Sequence, residues 1–276
     1  MKILWTSAIA VTVFFTGTFS TNAAVFTLYN GSGLPASQGS LKPGALQSSG
    51  VPTSVSETLV SGGVQLNTAA NSVEYSGYSN YDPSNSTYFK PATFNASTLN
   101  QNTGYTLTFT VNPTTVVDTP TRAAFSVIAI SSDKKGIEIG FKAASIFAQS
   151  ASFGTAAQTA AFTTNTTETY VLTVFNDSYS LLLSSGGSPI INGALQTYNF
   201  DPINSQPPLP FNPYTTGSFL FFGDNTGQAS GTFTLGSVTL DTTPIPFEFS
   251  PTYGLLAIGT GLAIRNWRKK AKDKIK

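Results

Sequence analysis

The sequence predicts an all-β chain: one β-sandwich, flanked by an N-terminal signal helix and a short C-terminal membrane helix. Three observations carry this prediction. Apolar and hydroxyl-bearing residues alternate with the period of half-buried strands, and turn residues punctuate them at close spacing. No stretch of the body keeps a sustained helical period. The remaining long apolar runs lie at the two ends of the 276 residues. The implied division is a signal peptide over 1–23, a sandwich over 24–241, and a linker, sorting motif, membrane helix and basic tail over 242–276.

Met1 and Lys2 open a short basic region before the apolar run Ile3 to Phe15. Small residues follow, with Thr21 and Ala23 at the −3 and −1 positions that a signal peptidase reads. An uncleaved anchor is the alternative, but 13 apolar residues are short for a membrane span.

Within the body, Val25–Tyr29, Tyr105–Val111 and Thr169–Phe175 carry β-branched and aromatic residues at alternating positions. In the second of these Tyr105, Leu107, Phe109 and Val111 share one face and threonines the other. Phe125–Ile130 and Gly217–Phe222 are more continuously apolar, as expected of strands packed on both faces. Asp133–Gly136 and Asn176–Asp177 read as tight hairpin turns. Roughly ten to 13 short strands with turns at close spacing mean a sandwich or barrel, and the lack of a fixed-length repeat disfavours a propeller or solenoid.

The tail has three parts. Pro244, Pro246 and Pro251 keep a linker extended. Tyr253 to Ile264 is rich in Gly and Leu, and becomes a marginal span if it starts after Pro251 and places Trp267 at the interface. Arg265, Arg268, Lys269 and Lys270 then hold the end on the cytoplasmic side. A buried amphipathic helix is the alternative, and it leaves the order of the three parts unexplained.

Two resemblances follow from these residues. Pro246, Phe247, Glu248, Phe249, Ser250 and Pro251, with the apolar helix and basic end, resemble the PEP-CTERM class of exosortase sorting signals in its Pro-Phe-Glu variant, associated with cyanobacterial proteins. The resemblance implies export, transient tethering to the inner membrane and processing by an exosortase-type enzyme. Gly63–Tyr78 resembles an early strand pair of concanavalin-A-like jelly rolls, and Phe219–Val238 their closing strands. The fold implied is a jelly roll whose last strand, Leu235 to Leu240, lies beside Phe26 to Tyr29.

Composition narrows the chemistry. From Val25 to Asp241 there are six basic and 11 acidic residues, −5 net, which gives a polyphosphate nothing to neutralise, so no nucleic-acid partner is expected. The chain has no Cys and no His, so disulfides, thiolates and the usual general base are absent. Two carboxylates suffice for a glycosidase, but the acids are scattered; Glu138 reads as an outward-facing residue beside Lys134 and Lys135. Asp224 and Asn225 offer two oxygens to a calcium ion, fewer than its shell needs, and read better as a turn capping its own backbone. No cofactor, metal site or catalytic residue is expected.

Trp5 and Trp267 both lie outside the body, so any glycan platform there must be built from tyrosine. Tyr75, Tyr78, Tyr81 and Tyr88 form the densest cluster, and Tyr214 sits in a second, Pro-rich one. The competing reading is that these rings cover the sandwich edge. The expectation is a non-catalytic cell-surface or extracellular-matrix protein with polysaccharide as candidate partner. A polysaccharide hydrolase or lyase on the same fold and a purely structural matrix component are the alternatives.

Overall fold

The computed structural model describes residues 23–43, 46, 56–68, 75–89, 93–154, 156–205 and 208–245. Residues 1–22 of the signal peptide, the motif Pro246–Pro251 and the basic residues Arg265 to Lys270 lie outside the described residues. No helix among the described residues is long and apolar enough to cross a membrane.

Among the described residues seventeen strands follow one another, more than the roughly ten to 13 expected. They are β1 (Val25–Tyr29), β2 (Lys42–Pro43), β3 (Ser56–Val60), β4 (Gly63–Asn67), β5 (Tyr75–Ser79), β6 (Tyr81–Asp82), β7 (Thr87–Tyr88), β8 (Tyr105–Val117) and β9 (Phe125–Ile130). Then come β10 (Gly136–Lys142), β11 (Ser145–Gln149), β12 (Ala156–Ala161), β13 (Glu168–Phe175), β14 (Ser178–Leu183), β15 (Ile191–Ala194), β16 (Phe219–Asn225) and β17 (Ser230–Asp241). They form two antiparallel sheets and one small hairpin, so the chain is an all-β sandwich. The first sheet runs β15-β14-β13-β8-β17-β4-β3, with β1 also paired to β17; the second runs β12-β11-β10-β9-β16-β5-β2; β6 and β7 form the hairpin.

The alternation read from the sequence sets the core. Tyr105, Leu107, Phe109 and Val111 of β8 are buried, with the intervening threonines half-exposed. Tyr170, Leu172 and Val174 of β13 face the same interior. Opposite them stand Phe125, Val127, Ile137, Ile139, Phe141 and Phe222 of the second sheet. Aromatic rings interlock at the centre: Phe141 lies 5.1 Å from Tyr170, 5.4 Å from Phe125 and 6.0 Å from Phe109. Tilted and edge-on pairs at such distances add to the stabilisation that burial itself gives.

Both hairpin turns form as the sequence implies. β13 joins β14 through Asn176 and Asp177, at φ 45° and 60°. Two successive positive φ values define the turn whose twist matches the flanking strands. β9 joins β10 with Ile130 opposite Gly136. The two turns meet, for Lys135 pairs with Asp177 at 2.6 Å and the Gln101 amide donates to both Asp133 and Asp177 at 2.8 Å.

The first and last strands pair, Phe26 opposite Leu240 and Tyr29 opposite Val238. Leu235 departs from expectation and lies between Val64 and Val111 instead. The strand pair expected in Gly63–Tyr78 also needs correction. β4 and β5 enter opposite sheets, pairing with β17 and β16 in turn, and so do not pair with each other.

Candidate functional site

Two places concentrate polar side chains. The first is the outer face of the second sheet. On β9 and β16 the residues alternate between two apolar environments. Ile128, Ile130, Phe219 and Phe221 point away from the main core into a second cluster with Tyr75, Tyr198, Leu209 and Tyr214. Residues 196–205 and 208–217 supply the roof: Phe153 packs under Tyr198 at 5.3 Å, Tyr214 at 5.0 Å and Phe200 at 5.6 Å.

Glu138 sits beneath that roof. Its neighbours Ile137 and Ile139 enter the main core, so strand alternation turns its side chain to the outer face. The outward, solvated placement expected beside Lys134 and Lys135 is therefore corrected: Glu138 is 2% exposed. The Tyr214 hydroxyl donates to its Oε2, and the Asn225 amide donates to Oε1 at 2.8 Å. The Tyr198 hydroxyl accepts from the Glu138 backbone N–H at 2.8 Å and donates to the Gln149 carbonyl at 3.3 Å.

Burial pushes the Glu138 carboxyl above its usual range, against the opposing pull of the Tyr214 and Asn225 hydrogen bonds and the nearby Arg122 charge. The same burial, with Glu138 beside them, raises Tyr198 and Tyr214. Gln149 and Ser126 lie on this face of the sheet as well, with buried side-chain polar atoms that have no protein partner.

The five tyrosines do not share one surface. On β5, Tyr75 and Tyr78 are three residues apart and therefore face opposite sides of the sheet. Tyr75 joins the outer cluster, whereas Tyr78 is fully buried in the main core and donates to Glu57 Oε1 at 2.9 Å. Tyr214 is 4% exposed. A platform of Tyr75, Tyr78, Tyr81 and Tyr88 is thus corrected to buried packing for Tyr75 and Tyr78, and Tyr214 of the second cluster is buried too. Tyr81 and Tyr88 are half-buried and do meet, opposite each other in the small hairpin with ring centroids 5.1 Å apart. Phe94 stacks on Tyr88 and Phe211 leans on Tyr81, at 5.9 and 5.8 Å.

Asp224 and Asn225 do not converge on a cation. Asp224 Oδ1 accepts from the Thr226 backbone N–H at 3.1 Å and Oδ2 from the Thr68 hydroxyl at 2.8 Å, while Asn225 turns to Glu138. Asp224 therefore caps its own backbone as the sequence implies, whereas Asn225, expected to do the same, does not. Among the described residues no group of three acidic side chains gathers.

The second place is a cleft of about 360 Å³ beside β1, where the first and last strands meet. Phe26 forms its apolar wall; Asn95, Ser97, Thr98, Asn100 and Thr103 form the polar one. Among the described residues no ionisable side chain lines it. Local bonds fix the polar wall: Thr98 Oγ1 accepts from Asn95 N–H at 2.8 Å, Asn95 Oδ1 from Ser97 N–H at 2.8 Å, and Asn100 Oδ1 from Asn102 N–H at 3.0 Å. Sequence reasoning passed over this segment, although Asn95-Ala-Ser-Thr98 carries the spacing of self-capping loops.

No family model matches the chain, and no curated protein does. Among solved structures it is similar to alginate lyase A1-II′ of polysaccharide lyase family 7, at 7% identity and TM-score 0.48, covering 76% of this chain and 97% of that one. A carbohydrate esterase of the Shiga toxin-encoding bacteriophage phi24B matches at 14% identity and TM-score 0.48, over 79% and 99%. Trypanosoma rangeli sialidase matches at 15% identity and TM-score 0.37, and this chain spans only 26% of its length. These likenesses are too distant to bear on activity.

Proposed function

We propose that this chain is a non-catalytic exported protein of the cell surface or extracellular matrix, and that its sandwich contacts neutral polysaccharide. The observation that carries the reading is the cleft beside Phe26. Its amides and hydroxyls are held in place by short-range bonds, and the described residues that line it carry no charge. A preorganised neutral wall beside an apolar one suits an uncharged polyhydroxy chain better than an ionic ligand. We read the sandwich as a concanavalin-A-like jelly roll, supported by the pairing of β1 with β17 and by the passage of β4 to β5 and β16 to β17 between sheets. Export rests on the signal peptide and on the tail around Pro246–Pro251, with an exosortase-type enzyme as processing partner and the inner membrane as transient anchor.

Immobilised polysaccharides test the ligand. Neutral chains should retain the exported protein and strongly acidic ones should not; failure on every neutral chain leaves the purely structural reading. Terminal-peptide mass spectrometry tests the route. The secreted protein should begin near Ala24 and lack Arg265 to Lys276, and an intact basic tail would overturn sorting.

One observation favours the second reading, a hydrolase or lyase. Glu138, Gln149 and Ser126 place polar groups beneath the roof of the second sheet. Turnover there requires residues 196–217 to lift, because a sealed carboxyl reaches no substrate. Polysaccharide degradation that vanishes in Glu138→Gln would establish it.

A further inference from the structure

The hydrogen bonds inside the polar wall of the cleft beside Phe26 decide what that wall still offers a ligand. A carbonyl oxygen can only accept, and an amide N–H can only donate. Along residues 93–103 the oxygens are already engaged. The Thr93 carbonyl accepts from the Asn95 side-chain amide at 3.3 Å, the Asn95 carbonyl from Thr98 N–H at 3.1 Å and the Thr98 carbonyl from Asn100 N–H at 3.1 Å. The Asn100 carbonyl accepts from Gly104 N–H at 3.0 Å, and the Thr103 carbonyl from Ile245 N–H at 2.8 Å. At Ala24, which also lines the cleft, the carbonyl accepts from Thr242 N–H at 2.9 Å. The side-chain oxygens of Asn95, Thr98 and Asn100 each accept from a backbone N–H as well.

The donors are left over. Among the described residues none accepts from the Asn100 side-chain amide, from the second N–H of the Asn95 amide, or from the hydroxyls of Ser97 and Thr98. Asn95 and Ser97 are exposed and Thr98 and Asn100 half-exposed, so these groups are open to a ligand. The turns that fix this wall therefore make it rich in donors, which its composition of Asn, Ser and Thr alone does not.

We propose that the cleft selects acetylated polysaccharide, taking the carbonyl of an acetyl group on its polar wall and the acetyl methyl against Phe26. This rests on the reading of the cleft as a polysaccharide site. A sugar hydroxyl brings a proton that needs an acceptor, whereas an acetyl carbonyl brings lone pairs and no proton. A wall whose oxygens are engaged matches the carbonyl better. A carboxylate is also an acceptor without a proton, but it is charged. No lysine or arginine among the described residues lines the cleft to offset its desolvation. The methyl needs an apolar neighbour, and the Phe26 wall is one.

Calorimetric titration of the exported chain with two pairs of neutral sugars tests this. Chito- and cello-oligosaccharides share their linkage and differ by an acetamido group in place of a hydroxyl. O-acetylated glucomannan and its alkali-deacetylated form differ by an ester-borne acetyl, so the two pairs separate the carriers. In at least one pair the acetylated member should bind at least about tenfold more tightly, because a site built to hydrogen-bond a group rejects the analogue lacking it. Equal binding within both pairs overturns the proposal and leaves the cleft a polysaccharide site. Binding of none of the four overturns that reading as well. Tighter binding of polygalacturonate than of either acetylated sugar also refutes the selection.

Asn100→Asp gives a second measurement. It keeps the Oδ1 that accepts from Asn102 N–H and replaces the donor amide by an acceptor. The preference for the acetylated member should disappear, with the thermal melt showing that the variant is folded. A preference equal to wild type overturns the proposal. The wild-type titrations stand whether or not this variant folds.

Discussion

The hydroxyl of Tyr214 donates to Oε2 of Glu138, tying the middle of β10 to the segment that roofs the second sheet. Neither group reaches solvent, so the bond forms only when the segment around Tyr214 is seated.

That relationship makes stability depend on pH in a definite direction. Burial raises the native pKa of Glu138 above its ordinary 4.5. The unfolded chain then ionises first, and the native state must hold a charge it solvates poorly. The contribution of Glu138 is full below pH 4.5 and is lost as pH rises through the native value. Thermal melts should therefore show wild type losing ground to Glu138→Gln across that interval, with the variant nearly flat. Parallel curves would mean that Glu138 titrates equally in both states.

The cleft beside Phe26 makes a separate prediction. Ser97 is exposed on its polar wall. Replacing it by Trp fills the space without disturbing the core, and exposed changes usually shift stability by less than about 0.5 kcal/mol. Ser97→Trp should therefore abolish retention on neutral polysaccharide while the melting temperature stays within the error of calorimetry. Retention equal to wild type would move the binding surface elsewhere.

The Asn176–Asp177 turn predicts a stability series. At φ 45°, Asn176 occupies a region that β-branched residues avoid. Asn176→Val should cost about 1–2 kcal/mol in denaturant unfolding, whereas Asn176→Gly should be close to neutral. Equal costs would show that the side chain of Asn176, and not its backbone geometry, matters.

Strands and their burial were legible because alternation encodes the face directly, as β8 and β13 show. The continuous apolar runs of β9 and β16 also signalled correctly that both faces of the second sheet are covered. That signal held the answer for Glu138, since a strand paired to β9 must meet the same cover. Read alone, Ile-Glu-Ile looks half-solvated. The roof itself was not legible, because residues 196–217 contain no regular strand pattern and take their place through scattered rings. The tyrosine cluster misled for a plainer reason: density along the chain is not proximity on one face, and a spacing of three on a strand separates side chains.

Tyr78 and Tyr81 turn that spacing into a test. They are three residues apart, yet Tyr78 is fully buried between the sheets and bonded to Glu57, while Tyr81 is half-buried against Tyr88 and Phe211. Tyr78→Ala opens a cavity of aromatic size and strands the Glu57 carboxyl, so it should cost about 3–5 kcal/mol. Tyr78→Phe keeps the ring and loses one charge-assisted hydrogen bond, worth about 1.5–3 kcal/mol. Tyr81→Ala removes only partly buried surface and should cost less than either. Urea unfolding of the three variants, with unchanged slopes, measures all of these on one scale. Should Tyr81→Ala prove as costly as Tyr78→Ala, the small hairpin belongs to the core, and its rings are unavailable to any ligand.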